Sequence, residues 1–489
     1  MNEISFVDST LRDGPQSLWA CRMTAPEMLS IAPTIDQAGF KCAEGPTLNT
    51  FIVYMRFLRE NPWEKIHLLV KAMPNTPVAG GMRSTGVWGF DIWPDSLVEL
   101  YLRRLIAHGY RRLMVFDPLH DFSRSANMRR IAKAAGLEVE LCLVYTISPV
   151  HTDEYYTRLA VELAQMNDVD AVRLKDSIGL LTPDRVRTLV PLILKNLGGK
   201  TLEFHSHCTT GLAPLCYTEA IKLGVRTVQT CISPLANGNS LPSTENTVKN
   251  IRQMGYTSRL DDKALETIAA HFRYAAKKEG KTIGAPIEYD LYLYEHQIPG
   301  GMRSNLESQL ALRGESDRLK EVLEEVALVR KEMGYAVMIT PLSQIMGTQA
   351  VLNVVTGERY KVVVEELFKY VLGFYGTPPA PIDPNIKDKI LSSPRGKEYL
   401  KWKPPQPSVE DFRRQLGGQL SDDDLLLQLM LPEEDIKGLL ASGPLKTEYP
   451  SPALEKPLMV LIRELARRAN LASLSVQRKD FSLTLKRTA

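Results

Sequence analysis

No apolar run in this chain of 489 residues approaches the ~20 residues of a membrane-spanning helix, which excludes a span of that kind. An excess of one charge is missing too. Against 60 Lys and Arg stand 57 Asp and Glu, a formal net charge of +3, which favours neither nucleic acid nor a membrane surface. Cysteine is scarce: six residues (Cys21, Cys42, Cys142, Cys208, Cys216, Cys231), none spaced Cys-x-x-Cys and all in the first half. That reads as reduced thiols rather than a disulfide framework. The sequence opens on the strand-like residues 4–8 with no secretory signal, so the expected location is the cytoplasm.

What is present is globular: 44% hydrophobic and 24% charged residues, at a length that fits two or three domains. The first ~285 residues alternate short apolar runs with longer amphipathic segments, the pattern of repeated βα units. Strands are expected at 4–8, 41–44, 66–71, 112–116, 139–144, 171–175, 202–207 and 228–232. Helices are expected between them at 25–38, 97–108, 125–135, 153–165, 183–196 and 211–223, the last behind a Thr209-Thr210 cap. Eight such repeats argue for an α/β fold of the TIM (β/α)8 barrel type, with chemistry at the C-terminal strand ends. A doubly wound open sheet is the alternative, but no Gly-rich dinucleotide turn supports it.

Chemically capable residues do gather after those strands. The first runs into Arg12, Asp13, Gln16 and Ser17; the sixth ends in Lys175-Asp176; the seventh ends in His205-Ser-His207. In an extended strand His205 and His207 point the same way, which suits a divalent metal, although a short His-x-His is a weak pattern alone. Each member has a plainer reading. Asp13 could be a turn or cap aspartate, and Lys175 a strand-end lysine reaching solvent. An ammonium has no lone pair, so Lys175 could bind a metal only as a neutral amine or after modification, as in a carbamate formed with carbon dioxide.

The run from Asp8 to Ser17, Asp-Ser-Thr-Leu-Arg-Asp-Gly-Pro-Gln-Ser, resembles the opening motif of the carboxyltransferase component of biotin-dependent enzymes. Pyruvate carboxylase, the oxaloacetate decarboxylase alpha subunit and the metal-bearing transcarboxylase subunit share it. Further matches follow in order: Met82-Arg83 with Trp93-Pro94-Asp95, Val115-Phe116-Asp117, 145–152, Lys175-Asp176 with Gly179, and His205-Ser-His207. Then come Gln297-Ile-Pro-Gly-Gly-Met302, Thr340-Pro-x-Ser-Gln344, 347–353 and Tyr375-Gly-x-Pro-Pro379, so the resemblance covers about residues 3–400. The opening motif is also shared with metal-dependent aldol-type lyases. Lys175-Asp176 and the 297–302 turn single out the carboxyltransferase branch.

The resemblance implies a divalent metal, zinc first and cobalt or manganese otherwise, held by Asp13, carbamylated Lys175, His205 and His207. It implies that Arg83 binds a substrate carboxylate, that Gln16 helps place the keto acid, and that Arg12 sits beside metal and substrate. Ser304, where much of the family has threonine, would carry a proton between biotin and the acceptor enol. From the residues alone 299–301 is an ordinary turn. The implied reaction moves a carboxyl group between carboxybiotin and a keto acid such as pyruvate or oxaloacetate. No Met-Lys-Met biotinylation sequence is present, so the implied partners are a separate biotin carboxyl carrier protein and, where used, a biotin carboxylase subunit. A homodimer is expected.

Residues 1–285 are thus expected to form the barrel, 286–445 a mostly helical funnel over its mouth, and 446–489 a small α+β segment for packing or docking. Helical stripes fall at 307–309, 317–333, 362–374 and 422–431, whereas the proline-rich 383–407 reads as a connector. The last segment pairs a helix at 457–470 with strands at 474–478 and 481–486. Departures from the family lie at Phe90, at 91–93 and at 234–242, and bear on the acceptor. The alternatives are a metal-dependent aldol or Claisen lyase and a non-catalytic carboxylase scaffold. Lys175 and the Pro-Gly-Gly-Met turn argue against the first, and an intact ligand set against the second.

Overall fold

The computed structural model describes residues 2–454, apart from 48, 85, 88, 91 and 313, together with 465, 473–478 and 481–486. Eight parallel strands close into a barrel: β1 (Ser5–Asp8), β2 (Cys42–Glu44), β3 (Val78–Arg83), β4 (Arg112–Phe116), β5 (Glu138–Val144), β6 (Ala171–Asp176), β7 (Thr201–Ser206) and β8 (Thr227–Thr230). β1 closes on β8 with Ser5 opposite Thr227 and Asp8 opposite Thr230. The register of β6 and β7 sets Lys175 beside His205.

One expected strand is corrected. Residues 66–71 lie within the helix Pro62–Ala72, whose first turn is capped by the Asn61 side chain accepting from the Trp63 and Glu64 amides. The third strand comes later, at β3, and carries Gly80-Gly81. A Cβ at Gly80 would stand 2.4 Å from the Tyr110 ring, and one at Gly81 would stand 2.9 Å from the Met114 methyl. The glycines are there for close approach, and they hide the strand from any reading by β-propensity.

Prolines account for two more differences. The expected helix 25–38 is two, Ala25–Leu29 and Ala32–Gln37, because Pro33 can begin a helix but not continue one. Within 383–407 the prolines open helices instead of breaking them: Pro384–Ser392 follows an Asp383 cap and Pro394–Tyr399 a Ser393 cap. After β7 the helix is Ala213–Lys222, with Leu212 at its cap, and the Thr210 hydroxyl donates to the Gly179 carbonyl instead.

Beyond the barrel come Leu293–His296, Gly300–Ala311, Leu319–Glu332, Leu342–Thr356, Glu365–Val371 and Asp422–Met430, among other helices. This region meets the C-terminal face of the barrel. Arg330 donates to Thr146 Oγ1 and the Ile147 carbonyl, and Val337 and Ile339 pack with Met114, Phe116, Cys142 and Val144. Near the C-terminus the two expected strands are β9 (Ser473–Arg478) and β10 (Phe481–Lys486), which pair antiparallel, while the expected helix 457–470 lies mostly outside the described residues.

The barrel interior is unusual. Such barrels are ordinarily filled by branched apolar side chains. Here Glu44, Glu140, Glu203, Arg112, Arg173 and Gln229 are all at most 3% exposed. Arg173 of β6 reaches Glu44 of β2 at 2.8 Å, and Arg112 of β4 reaches Glu203 of β7 at 2.7 Å. Strands that are not neighbours can exchange such bonds only across the inside.

Candidate active site

At the C-terminal mouth a cavity of about 260 Å³ is lined by Arg12, Asp13, Gln16, Arg83, Lys175 and His207, and on the helical side by Pro299, Gly300, Thr340 and Gln344. The expected residues from β1, β3, β6 and β7 therefore converge.

Asp13 opens the helix Asp13–Leu18 and is 2% exposed. Its Oδ1 lies 3.4 Å from His207 Nε2 and accepts from Ser17 Oγ at 3.0 Å; its Oδ2 lies 3.7 Å from His205 Nε2 and 3.0 Å from Arg12 Nη2. Burial works to raise the Asp13 pKa, but its charged neighbours, the Arg12 guanidinium first among them, hold the carboxyl well below the usual carboxylate range. His207 Nδ1 faces the Asn239 carbonyl at 2.6 Å, which can only accept, so Nδ1 carries a proton and Nε2 is the nitrogen turned toward Asp13. His205 Nδ1 faces Gln229 Oε1 at 2.7 Å, and its buried Nε2 has no hydrogen-bond partner. Burial, then the charge of Lys175, keeps His205 neutral, far below the usual histidine range.

The atoms Asp13, His205 and His207 offer lie within 4.8 Å of one another. A carboxylate and two imidazoles, one with an orphaned nitrogen, fit a divalent cation in both chemistry and spacing. Lys175 lines the same cavity at 5% exposure, with no carboxylate within 4 Å of Nζ among the described residues. Burial pulls its pKa down, and Arg12 and Arg173 add to that.

Arg83, at the end of β3, is 1% exposed. Its Nη2 donates to the Gly89 carbonyl at 2.7 Å, its Nη1 is buried without a partner, and no carboxylate among the described residues pairs with it. Arg12 is turned away from solvent by Glu44 Oε2, which accepts from Nε at 3.2 Å and from Nη2 at 2.8 Å. Gln16 is exposed to the cavity. Ser304 lies on the helix Gly300–Ala311, whose first turn reaches the mouth; its side chain lies outside the described residues. A Cβ at Gly300 would stand 2.2 Å from Asn239 Oδ1, so this turn rests on the same residue that holds His207.

Other motif residues build the walls. Asp176 accepts from the amides of Gly179, Leu180 and Leu181 and from Ser206 Oγ. Gly179 has φ +82°, and a Cβ there would meet the His207 carbonyl at 2.6 Å. Asp117 accepts from Ser84 Oγ, next to Arg83. Glu44, Gln229 and Asn239, which hold Arg12, His205 and His207, are residues that sequence reasoning misses. For the first two the only signal in the sequence is a polar residue in a short strand.

Comparison with known proteins agrees with this geometry. Residues 293–443 match the family described as a conserved carboxylase domain. The chain is 38% identical over 453 residues to a pyruvate carboxylase subunit of Methanocaldococcus jannaschii, covering 91% of this chain and 79% of that one. It is 35% identical over 442 residues to the methylmalonyl-CoA carboxyltransferase 5S subunit of Propionibacterium freudenreichii subsp. shermanii, covering 88% and 86%. Among solved structures, the carboxyl transferase domain of Rhizobium etli pyruvate carboxylase with oxamate and biotin superposes with a TM-score of 0.81 at 26% identity, over 93% of this chain and 80% of that one. The chain belongs to the biotin-dependent carboxyltransferase family, of the pyruvate carboxylase and transcarboxylase type.

Proposed function

We propose that this chain moves a carboxyl group between carboxybiotin and a small keto acid, pyruvate or oxaloacetate, through the enolate of the acceptor. The observation that carries this reading is Arg83, a buried cation with an open arm at the wall of the cavity that Asp13 also lines. A planar guanidinium so placed is suited to grip a keto-acid carboxylate by two parallel hydrogen bonds. Gln16, exposed to the same cavity, helps orient the acceptor, and Arg12, anchored by Glu44, adds positive charge where the enolate forms.

Asp13, His205, His207 and a carbamate on Lys175 would hold the divalent cation, with zinc the first choice and cobalt or manganese the others. Support for the carbamate comes from the burial of Lys175, its lowered pKa and the absence of a paired carboxylate among the described residues. When bound, the cation supplies Lewis-acid charge toward the keto oxygen. Ser304 relays the proton: its hydroxyl gives one to the biotin ring nitrogen as carbon dioxide leaves and takes one from the acceptor methyl. The enolate then attacks carbon dioxide, and pyruvate becomes oxaloacetate. Each step is reversible, so the same site can decarboxylate oxaloacetate.

Biotin arrives on a separate carrier protein, and a biotin carboxylase, where used, is a further polypeptide. That the Methanocaldococcus relative is one subunit of a pyruvate carboxylase supports such an assembly. We take the working form as a homodimer with parts at 1–285, 286–445 and 446–489. Six unpaired, buried cysteines suit a reducing cytoplasm, and no helix among the described residues is long and apolar enough to cross a membrane.

The test is transfer from carboxylated carrier to a panel of keto acids and acyl-CoAs, read by isotope label. Labelled oxaloacetate from pyruvate is the expected product. Labelling of an acyl-CoA with none of a keto acid would overturn the acceptor assignment.

A further inference from the structure

We infer that Gln229 is a positioning residue for the cation site: its side-chain carbonyl holds His205 as the Nδ1–H tautomer and leaves Nε2 bare toward Asp13. This rests on the cation reading above and extends it to a residue that touches neither cation nor substrate.

Donors and acceptors around Gln229 allow one arrangement. Gln229, on β8, is fully buried. Its Nε2 lies 3.2 Å from Glu203 Oε2 and 3.4 Å from Glu140 Oε1. Glu140 accepts from Arg173 Nε and Nη2 at 2.9 and 2.7 Å, and Glu203 accepts from Arg112 at 2.7 Å and Lys41 at 2.8 Å, which hold it ionised, so both carboxyls face the amide as acceptors. The amide must therefore turn its NH2 toward them. A flipped amide would set its oxygen against two carboxylates. Oε1 is then the atom 2.7 Å from His205 Nδ1, and because it only accepts, the ring must donate there. A neutral imidazole with its proton on Nδ1 has one lone pair left, on Nε2, the orphaned nitrogen 3.7 Å from Asp13 Oδ2.

The carboxylates that orient Gln229 are themselves tied to the site. From Glu140 the contacts run to Arg173, from Arg173 Nη1 to Glu44 Oε1 at 2.8 Å, and from Glu44 Oε2 to Arg12 at 2.8 Å. Arg12 then meets Asp13 at 3.0 Å. The path that leaves the site at His205 thus returns to it at Asp13, and the charged barrel interior becomes a jig for two residues that face each other. A Gln that merely filled a polar hole would need no fixed orientation.

Two measurements on the full chain decide the matter. Nitrogen NMR of metal-free protein with 15N-labelled histidine, His205 assigned by its own substitution, should show Nδ1–H in the unmodified protein and a mixture with Nε2–H in Gln229→Leu. Zinc affinity, measured by competition with a chelator in bicarbonate buffer, should weaken roughly 10- to 100-fold in Gln229→Leu. Gln229→Met, of similar length and without an acceptor, takes its place if the leucine variant does not fold. An Nε2–H ring in the unmodified protein, or zinc affinity within twofold of it in a folded variant, overturns the assignment. Unmodified protein that takes up no zinc overturns the cation reading instead, and the tautomer measurement still decides the role of Gln229.

Discussion

Arg83→Met separates a substrate grip from a structural contact, because the two make opposite claims about stability. Arg83 is 1% exposed, and it donates to the Gly89 carbonyl at 2.7 Å. Burial pulls its pKa from 12.5 down to about 10. A base whose folded pKa lies below its unfolded one penalises the fold fully below the lower value, and the penalty fades as pH rises from there to the higher one. At neutral pH the charge therefore costs the substrate-free fold on the order of 3 kcal/mol. Methionine removes that cost and also the Gly89 bond, which, made by a charged donor, contributes about 1.5–3 kcal/mol. The net expectation is a fold as stable as the original or up to about 1.5 kcal/mol more stable. Activity should move the other way. Removing one partner of a desolvated charged pair costs about 2–5 kcal/mol, so kcat/KM for the keto acid should fall roughly 30- to 5,000-fold. The assay is keto-acid dependence of transfer at saturating carboxylated carrier, alongside urea unfolding and metal analysis. A variant at least about 2 kcal/mol less stable with kcat/KM within about threefold of normal would refute the substrate grip and make Arg83 a strut for the 84–90 loop.

Three further outcomes are expected. His207→Ala should lose bound divalent metal and transfer together, read by elemental analysis and the label assay, since the cation and the catalyst are one ion; full transfer without metal would sink this. Protein equilibrated with 13C-bicarbonate should show a carbamate signal that Lys175→Met abolishes, and an identical signal in both would place the carbamate elsewhere. Ser304→Ala should cut transfer from carboxybiotin by about 10²–10⁴-fold with metal content and acceptor affinity kept, while Ser304→Thr stays active. An alanine variant at the normal rate would reduce the Pro-Gly-Gly turn to architecture.

Much of the barrel is legible in the sequence because amphipathic helices alternate with short apolar strands, a signal that survives locally. β3 is not, because Gly80 and Gly81 answer to the Tyr110 ring and the Met114 methyl, partners some 30 residues away. The helices at Pro384–Ser392 and Pro394–Tyr399 look like a loop in sequence because proline marks a helix start as well as a break, and only the Asp383 and Ser393 caps choose between them. The cluster of Asp13, His205 and His207 can be suspected from strand-end positions. Arg83 and Ser304 emerge only through the family resemblance. Gln229 and Glu44 lie beyond both routes, since their partners come from other strands across the inside of the barrel.

Asn239 touches two parts of the cavity wall. Its backbone carbonyl holds the ring of His207, and its side chain lies where any Cβ at position 300 would fall, under the first turn of the helix that bears Ser304. On the proposed reading, proton relay and cation grip share that one residue. In the proposed mechanism a change at position 239 would therefore reach both groups, so relay and ligand are not independent of each other. Under the same proposal a change of acceptor falls to Gln16 and Arg83, which line the cavity from the segment after β1 and from the end of β3.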